Sequence, residues 1–204
     1  MKGSAYTIGY AAVLGTVCAV LLTGASALTE PRRKANAKAE ETRHILDVLG
    51  VPVDEAASPE DMLEAFNDSV TLARQGGLDV YAYEKTGAVA VPFAGPGLWG
   101  PVKGFLSLES DRKTIHGVTF HEQEETPGLG GEISARWFRD RFRGKSIIGA
   151  DGTPGMAIRR AGGGIPGANE VDAISGATMT CDKVQAMLNK TITILAKEND
   201  HDVR

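Results

Sequence analysis

The sequence predicts an α+β fold: a twisted antiparallel sheet with flanking helices, preceded by one N-terminal transmembrane helix. Three observations predict it. A long apolar segment without charge opens the chain, strand-like runs follow one another in the middle, and apolar residues return to helical spacing near the C-terminus. We expect a transmembrane anchor over 1–30, a helical connecting segment over 31–77 and an α+β domain over 78–204.

The apolar segment covers residues 6–28 and contains no charged residue. At about 1.5 Å per residue it spans roughly 30 Å or slightly more, enough for one bilayer crossing. A cleaved signal peptide is the alternative, because Ala25-Ser26-Ala27 resembles a small-residue cleavage site. The length of the segment and the basic run Arg32-Arg33-Lys34 directly after it favour a retained anchor.

Two helices are predicted before the sheet. A polar, Ala-rich helix follows Pro31 and covers 33–49, ended by Gly50 and Pro52. The second begins at Ser58-Pro59, which supplies an N-cap and a proline at the first helical position, and ends at Gly76-Gly77. Its predicted buried stripe is Met62, Leu63, Phe66, Val70 and Ala73.

Period-two patterns replace the helical period after residue 77. The predicted strands cover 78–84, 88–93, 102–109 and 114–121, and their short connections predict antiparallel pairing. Core candidates on them are Leu106, Leu108, Val118 and Phe120. Beyond the strands we expect a short helix over 134–143, a strand over 156–160 and a glycine-rich loop over 162–167.

Composition excludes several classes of function. The net charge of −4, with both signs mixed along the chain, indicates no basic patch for nucleic acid. Cys18 and Cys181 have no neighbours at metal-ligand spacing, so we predict no metal site. We also predict no disulfide, because Cys18 lies in the apolar segment and Cys181 in the distal domain. His116 and His121 face opposite sides of a predicted strand, which argues against a Ser-His-Asp hydrolase. We predict no catalytic residue on this chain.

The most informative motif is Asp172-Ala173-Ile174-Ser175-Gly176-Ala177-Thr178, directly before a helical pattern of apolar residues. Thr180 is the predicted N-cap of that helix. The unpaired N–H groups and the dipole of a helix N-terminus favour an anion there, most often phosphate. An ordinary capped loop is the alternative reading of the same residues.

A second motif runs from Glu124 to Glu132 and contains Pro127 and several glycines. Proline stiffens such a loop, and glycines let the backbone approach a planar ligand closely. Gly97-Leu98-Trp99-Gly100 forms a third motif. The alternatives are a tight structural loop for the second motif, an exposed loop acid for Glu125, and a core position for Trp99.

The first motif resembles the flavinylation motif Asp-x-x-Ser/Thr-Gly-Ala-Thr of a flavin-binding domain family. This family is shared by the C subunit of the sodium-translocating NADH:quinone oxidoreductase and the G subunit of the Rnf complex. The other two motifs resemble further elements of that family. The resemblance implies that Thr178 carries FMN through a phosphoester bond. The cofactor-binding residues it implies are Trp99, Glu125, Thr126, Pro127, Gly128, Leu129, Gly130, Asp172, Ser175, Gly176, Ala177 and Thr178.

The resemblance also implies partners. A threonine hydroxyl is a poor nucleophile, and the resemblance implies that a separate magnesium-dependent flavin transferase moves FMN from FAD onto Thr178. It implies an electron relay inside a complex with other membrane subunits. Gly97-Leu98-Trp99 favours the C subunit of the oxidoreductase, whereas the short chain leaves the G subunit of the Rnf complex open. A free-standing covalent-FMN shuttle and a non-enzymatic membrane-tethered binding module are further alternatives.

Charge and resemblance disagree on orientation. Lys2 precedes the apolar segment, whereas several basic residues follow it: Arg32, Arg33, Lys34, Lys38 and Arg43. The positive-inside rule therefore predicts a cytoplasmic domain. The resemblance implies a single-pass protein of the bacterial inner membrane with its flavin domain on the periplasmic face. We follow the resemblance, because the charge rule is weakest where a long domain follows the helix.

Overall fold

The structure is a computed structural model that describes residues 2–54, 56–160, 162 and 164–201. The chain divides into two compact units, Met1–Glu40 and Glu41–Arg204. This division does not coincide with the predicted boundaries after residues 30 and 77. The second unit also includes the last turns of the first helix and the whole second helix, because both pack on the sheet.

The first helix, α1, is continuous from Lys2 to Leu49 and contains Pro31. The prediction of two separate helices here is wrong. Proline removes one backbone hydrogen bond, but the Ala-rich sequence on its C-terminal side strongly favours helix. Within the described residues, α1 is long and apolar enough to cross a membrane, with an 18-residue window of mean hydropathy 2.0.

The second helix, α2, covers Pro59–Ser69 and begins as predicted. Ser58 Oγ accepts from the Asp61 N–H at 3.2 Å, and Asp61 Oδ2 accepts from the Ser58 N–H at 3.0 Å, a capping box. The predicted end is wrong, because Val70–Gln75 forms strand β1. Gly76 and Gly77 both have a positive φ and form a tight turn, after which the next strand pairs with β1.

The sheet is antiparallel with the order β1-β2-β3-β4-β5, so each strand pairs with its neighbours in sequence. This confirms the predicted fold class. The four core candidates on its strands are all buried. The remaining strands are β2 Leu78–Tyr83, β3 Ala88–Pro96, β4 Pro101–Leu108 and β5 Ile115–Glu122.

Short elements follow the sheet. The predicted helix over 134–143 is replaced by a 3₁₀ turn Gly130–Ser134, a four-residue helix α3 Arg136–Arg139 and a second 3₁₀ turn Asp140–Phe142. Strand β6, Ala157–Arg159, was predicted, but its parallel partner β7, Glu170–Asp172, was not. In the predicted loop over 162–167, residue 163 lies outside the described residues and the others form no helix or strand. The last helix, α4, covers Thr178–His201.

Helices cover both faces of the sheet. Val184, Leu188 and Ile192 of α4 are fully buried in one cluster with Leu106 of β4. The adjacent residue, Phe105, belongs to a second cluster with the last turns of α1 and with α2. Because successive residues of a strand point to opposite faces, the two clusters lie on opposite sides. The β3–β4 connection, the segment after β5 and the start of α4 hold the candidate site.

Candidate functional site

Glu125 joins the three sequence motifs. It follows β5 and only 5% of its surface is exposed. Its Oε1 accepts from the backbone N–H groups of Leu98 and Trp99, at 2.6 and 3.2 Å. Its Oε2 accepts from Thr180 Oγ1 at 2.6 Å. One buried carboxylate therefore fixes the β3–β4 connection and the first turn of α4 relative to its own segment, and it is not an exposed loop acid.

The close approach of these segments depends on glycine. A Cβ on Gly130 would lie 2.6 Å from both Glu125 Oε2 and Thr180 Oγ1, so any side chain there would force these atoms to move. Gly176 has a φ of +80°, and a Cβ on it would lie 3.0 Å from Leu129 Cδ2. Glycine adopts this backbone conformation without strain and leaves room for the opposite loop.

A pocket of about 330 Å³ opens between the three segments. This volume lies within the ordinary range of small-molecule sites, about 300–1,000 Å³. Large apolar side chains around it stay exposed, including Trp99 at 71% and Met179 at 61%. The alternative that placed Trp99 in the core is therefore wrong. The lining residues are Leu98, Trp99, Glu125, Thr126, Leu129, Gly130, Gly176, Ala177, Thr178, Met179 and Thr180.

Helix α4 begins at Thr178, two residues before the predicted N-cap Thr180. The Ala177 carbonyl accepts from the Cys181 N–H at 3.0 Å, which makes Ala177 the residue that opens the helix. Thr180 is not the N-cap, because it is the third residue of the helix; its hydroxyl donates to Glu125. The first-turn N–H groups, from Thr178 onward, lie at the positive end of the helix dipole and lack acceptors within the helix. N–H groups of this kind, at a pocket wall, favour an anion.

Three hydroxyl-bearing residues in and directly after the first motif differ in accessibility. Thr178 is exposed and lines the pocket. Thr180 is only 2% exposed, and its hydroxyl is engaged by Glu125. Ser175 is exposed but does not line the pocket. Thr178 thus combines an exposed side-chain-bearing position with a place in the pocket lining.

The second motif forms a turn at the pocket edge. The Thr126 carbonyl accepts from the N–H groups of Leu129 at 3.1 Å and of Gly131 at 2.9 Å. Thr126, Leu129 and Gly130 line the pocket, whereas Pro127 and Gly128 form the exposed tip of the turn outside its lining.

Asp172 lies outside the pocket lining, at the end of β7. Its Oδ1 is 3.5 Å from Arg159 Nε, in an ion pair. Its carbonyl accepts from Arg141 Nη1 at 2.7 Å, and that of Ala173 accepts from the same atom at 3.4 Å. Arg141 therefore holds the start of the first motif. Sequence reasoning missed this contact, because 31 residues separate Arg141 from Asp172.

Cys181 supports the same motif from inside. Its Sγ accepts from the Ile174 N–H at 3.5 Å, and its side chain is fully buried. Burial raises the pKa of the Cys181 thiol, which keeps it neutral and unreactive. Within the described residues, both cysteines are free, and no cluster of three or more His, Cys, Asp or Glu side chains could hold a metal ion.

Comparison with known proteins agrees with this geometry. Residues 97–193 match the FMN-binding domain family, a range that contains the three motifs and supports FMN as the cofactor. Two crystal structures share the fold. The Na(+)-translocating NADH-quinone reductase C subunit from Parabacteroides distasonis has a TM-score of 0.70 and 28% identity, over 82% of this chain and 95% of that one. NqrC from Shewanella oneidensis has a TM-score of 0.68 and 23% identity, over 80% and 99%.

Sequence relatives carry the same name. The Na(+)-translocating NADH-quinone reductase C subunit of Vibrio alginolyticus is 30% identical over 223 aligned residues, which cover 88% of this chain and 86% of the relative. That of Vibrio anguillarum is also 30% identical, over 84% of each chain. Identity at this level over nearly the whole of both chains shows a common family. The chain belongs to the family of Na(+)-translocating NADH-quinone reductase C subunits.

Proposed function

We propose that this chain is the membrane-anchored flavoprotein of the C type in an ion-translocating NADH:quinone oxidoreductase, and that it relays electrons through FMN bound covalently to Thr178 by a phosphoester. One observation carries the proposal: residues from all three motifs line a single pocket, and Thr178 is an exposed residue of that lining. The named relatives favour this assignment over the G subunit of an Rnf complex.

The residues present fit FMN. Exposed apolar side chains at the pocket, above all Trp99 and Leu129, suit the faces of a planar ring. The N–H groups that open α4 suit the phosphate, and they lie beside the Thr178 hydroxyl. Glu125 holds the walls together through hydrogen bonds that need no ligand. When bound, FMN supplies the redox chemistry, and the protein supplies binding and orientation.

Attachment to Thr178 needs help from outside the chain. The acidic residue of the pocket lining, Glu125, already accepts from three donors, so it is poorly placed to act as a base for Thr178. We therefore propose that a flavin transferase matures the protein. In that reaction the Thr178 oxygen forms a bond to the FMN-side phosphorus of FAD, the hydroxyl proton leaves, and AMP departs.

The decisive experiment replaces Thr178 by Val, which keeps the shape and removes the oxygen. After co-expression with the flavin transferase, we expect folded Thr178→Val protein without covalent flavin fluorescence in a denaturing gel. Ser175→Ala is the matched control and should retain full flavinylation, because Ser175 lies outside the pocket lining. Peptide mass mapping identifies the modified residue. An FMN adduct on Ser175 or Thr180, or one that survives in Thr178→Val, would falsify the assignment.

We further propose that α1 anchors the chain in the bacterial inner membrane beside the other subunits, with the flavin domain on the periplasmic face. The length and hydropathy of α1 support the anchor, and the family resemblance supports the orientation. Protease added to intact spheroplasts should digest the domain after Glu40. Protection in spheroplasts, with digestion only after lysis, would show that the domain lies on the cytoplasmic face. It would not affect the flavin assignment.

A further inference from the structure

A second cavity, of about 180 Å³, lies away from the flavin pocket. It forms where the last turn of α1 meets β5 and the short elements around α3. Its lining shares no residue with the flavin pocket. We call it the cationic cavity; it is lined by Asp47, Val48, Gly117, Val118, Thr119, Arg136, Arg139, Asp140 and Arg143.

The charged side chains of the cationic cavity do not balance. Arg139 Nη1 donates to Asp47 Oδ2 at 2.9 Å. Arg136 Nε lies 3.6 Å from Asp140 Oδ2 in a looser, more exposed pair. Arg143, the third guanidinium of the lining, has no carboxylate left to pair with inside the cavity. The lining therefore carries an excess of positive charge.

Two buried polar atoms of the same lining lack a partner. Arg139 Nε and Thr119 Oγ1 are both inaccessible to solvent and make no hydrogen bond within the described residues. Thr119 as a whole is 1% exposed. Buried donors of this kind almost always have a partner, which can be an ordered water or an ion that the protein binds.

We propose that the cationic cavity binds a small oxyanion of the phosphate class. Every unpaired group here is a donor or can act as one: the Arg139 Nε–H, the Thr119 hydroxyl and the Arg143 guanidinium. An oxyanion accepts from the exposed Arg143 guanidinium and, once side-chain rotation opens the two buried atoms to the cavity, from Arg139 and Thr119. It also balances the excess charge, which a water molecule cannot do. The volume exceeds the roughly 30 Å³ share of one water and falls below the roughly 300 Å³ of ordinary organic-ligand sites.

The test measures phosphate binding by the full chain in phospholipid-free detergent. Inorganic phosphate is titrated against chloride at equal ionic strength, and the melting temperature is followed. We expect the melting temperature to rise with phosphate and to saturate, because a ligand that binds only the folded state stabilises it by mass action. The side-chain Nε–H resonance of Arg139 should shift in the same titration. Short-chain phosphatidic acid below its micellar concentration is the second ligand; tighter binding than phosphate identifies a lipid headgroup, and equal or weaker binding identifies the free ion.

Two variants locate the site. Thr119→Val removes only an unpaired hydroxyl, so it should fold normally, and Arg143→Gln removes an exposed guanidinium. Each should weaken phosphate binding at least tenfold. Arg74→Gln is the matched control, because it removes an exposed positive charge from β1 and should leave binding unchanged. A response no larger than with chloride would mean that water alone fills the cavity and would overturn the proposal. An equal phosphate response in the wild type and both variants would also overturn it.

Discussion

The flavin pocket and the cationic cavity differ in how their buried polar atoms are satisfied. In the flavin pocket, both oxygens of Glu125 and the hydroxyl of Thr180 are paired within the chain. In the cationic cavity, Arg139 Nε and Thr119 Oγ1 make no hydrogen bond within the part of the chain that the structure describes. A pocket whose polar groups are already paired keeps its shape without a ligand, whereas unpaired donors gain most when a partner from outside arrives.

Glu125→Ala should have the largest effect. It leaves two backbone N–H groups and the buried Thr180 hydroxyl without their acceptor, at about 1–3 kcal/mol for each group left unsatisfied. We expect a lower free energy of unfolding, measured in urea, and a reduced yield of covalent flavin. Glu125→Gln should lose less stability and less covalent flavin, because its side-chain amide can accept from the β3–β4 connection and donate to Thr180.

The control for Glu125 is Glu124→Ala, which removes an exposed neighbouring carboxylate. Surface substitutions of this kind change stability by about 0.5 kcal/mol or less. If Glu125→Ala were as stable as Glu124→Ala, the pocket would not depend on the buried carboxylate, and its contrast with the cationic cavity would disappear.

Two glycines test how tightly each region is packed. In the flavin pocket, Gly130→Ala brings a methyl group within 2.6 Å of Glu125 Oε2 and Thr180 Oγ1. Overpacking of this kind costs typically about 1–3 kcal/mol. In the cationic cavity, the new Cβ of Gly117→Ala meets Val48 Cγ2 at 3.5 Å, an ordinary contact. In urea, the free energy of unfolding of Gly130→Ala should be well below that of Gly117→Ala. Equal losses of stability in the two variants would contradict the rigid packing of the flavin pocket.

Local features of the sequence predicted much of the flavin pocket. Trp99, Thr126, Leu129, Gly130 and Thr178 belong to short glycine-containing motifs, and all of them line the pocket. The role of Thr180 could not be predicted, because its partner Glu125 is 55 residues away in sequence. As a polar residue before an apolar pattern, Thr180 resembles an N-cap, and only the tertiary contact decides otherwise.

The fold, too, could be predicted from the sequence only where local patterns decide it. The antiparallel strands after residue 77 follow from alternation and short turns, which are local. Residues 70–75 have apolar spacing that also fits a helix, and pairing with β2 decides in favour of a strand. The unpaired atoms of the cationic cavity leave no trace in the sequence, because Thr119 and Arg139 meet only after β5 and α3 pack together.

Another unpaired buried atom belongs to a side chain that titrates. His121 Nδ1 is buried without a hydrogen bond within the described residues, and its ring stacks on Phe105 at 5.1 Å. Burial, and secondly the nearby His44, lowers the pKa of His121; Lys103 acts in the same direction, whereas Glu41 and Glu122 oppose the shift. Unlike Arg139, this side chain can lose its charge, so it needs no anion.

The sign of the pH effect follows from this shift. Below the unfolded pKa of about 6.5, the unfolded chain binds more protons than the folded chain, so acidification favours unfolding. Stability from this group should be complete above that pH and should fall as the pH decreases through it. We expect the free energy of unfolding to change slightly with pH between about pH 7 and 5.5, above the range where carboxylates titrate. His121→Phe keeps the aromatic stacking and should flatten the slope; an unchanged slope would assign the pH dependence to other groups and mean that His121 binds protons equally in the folded and unfolded states.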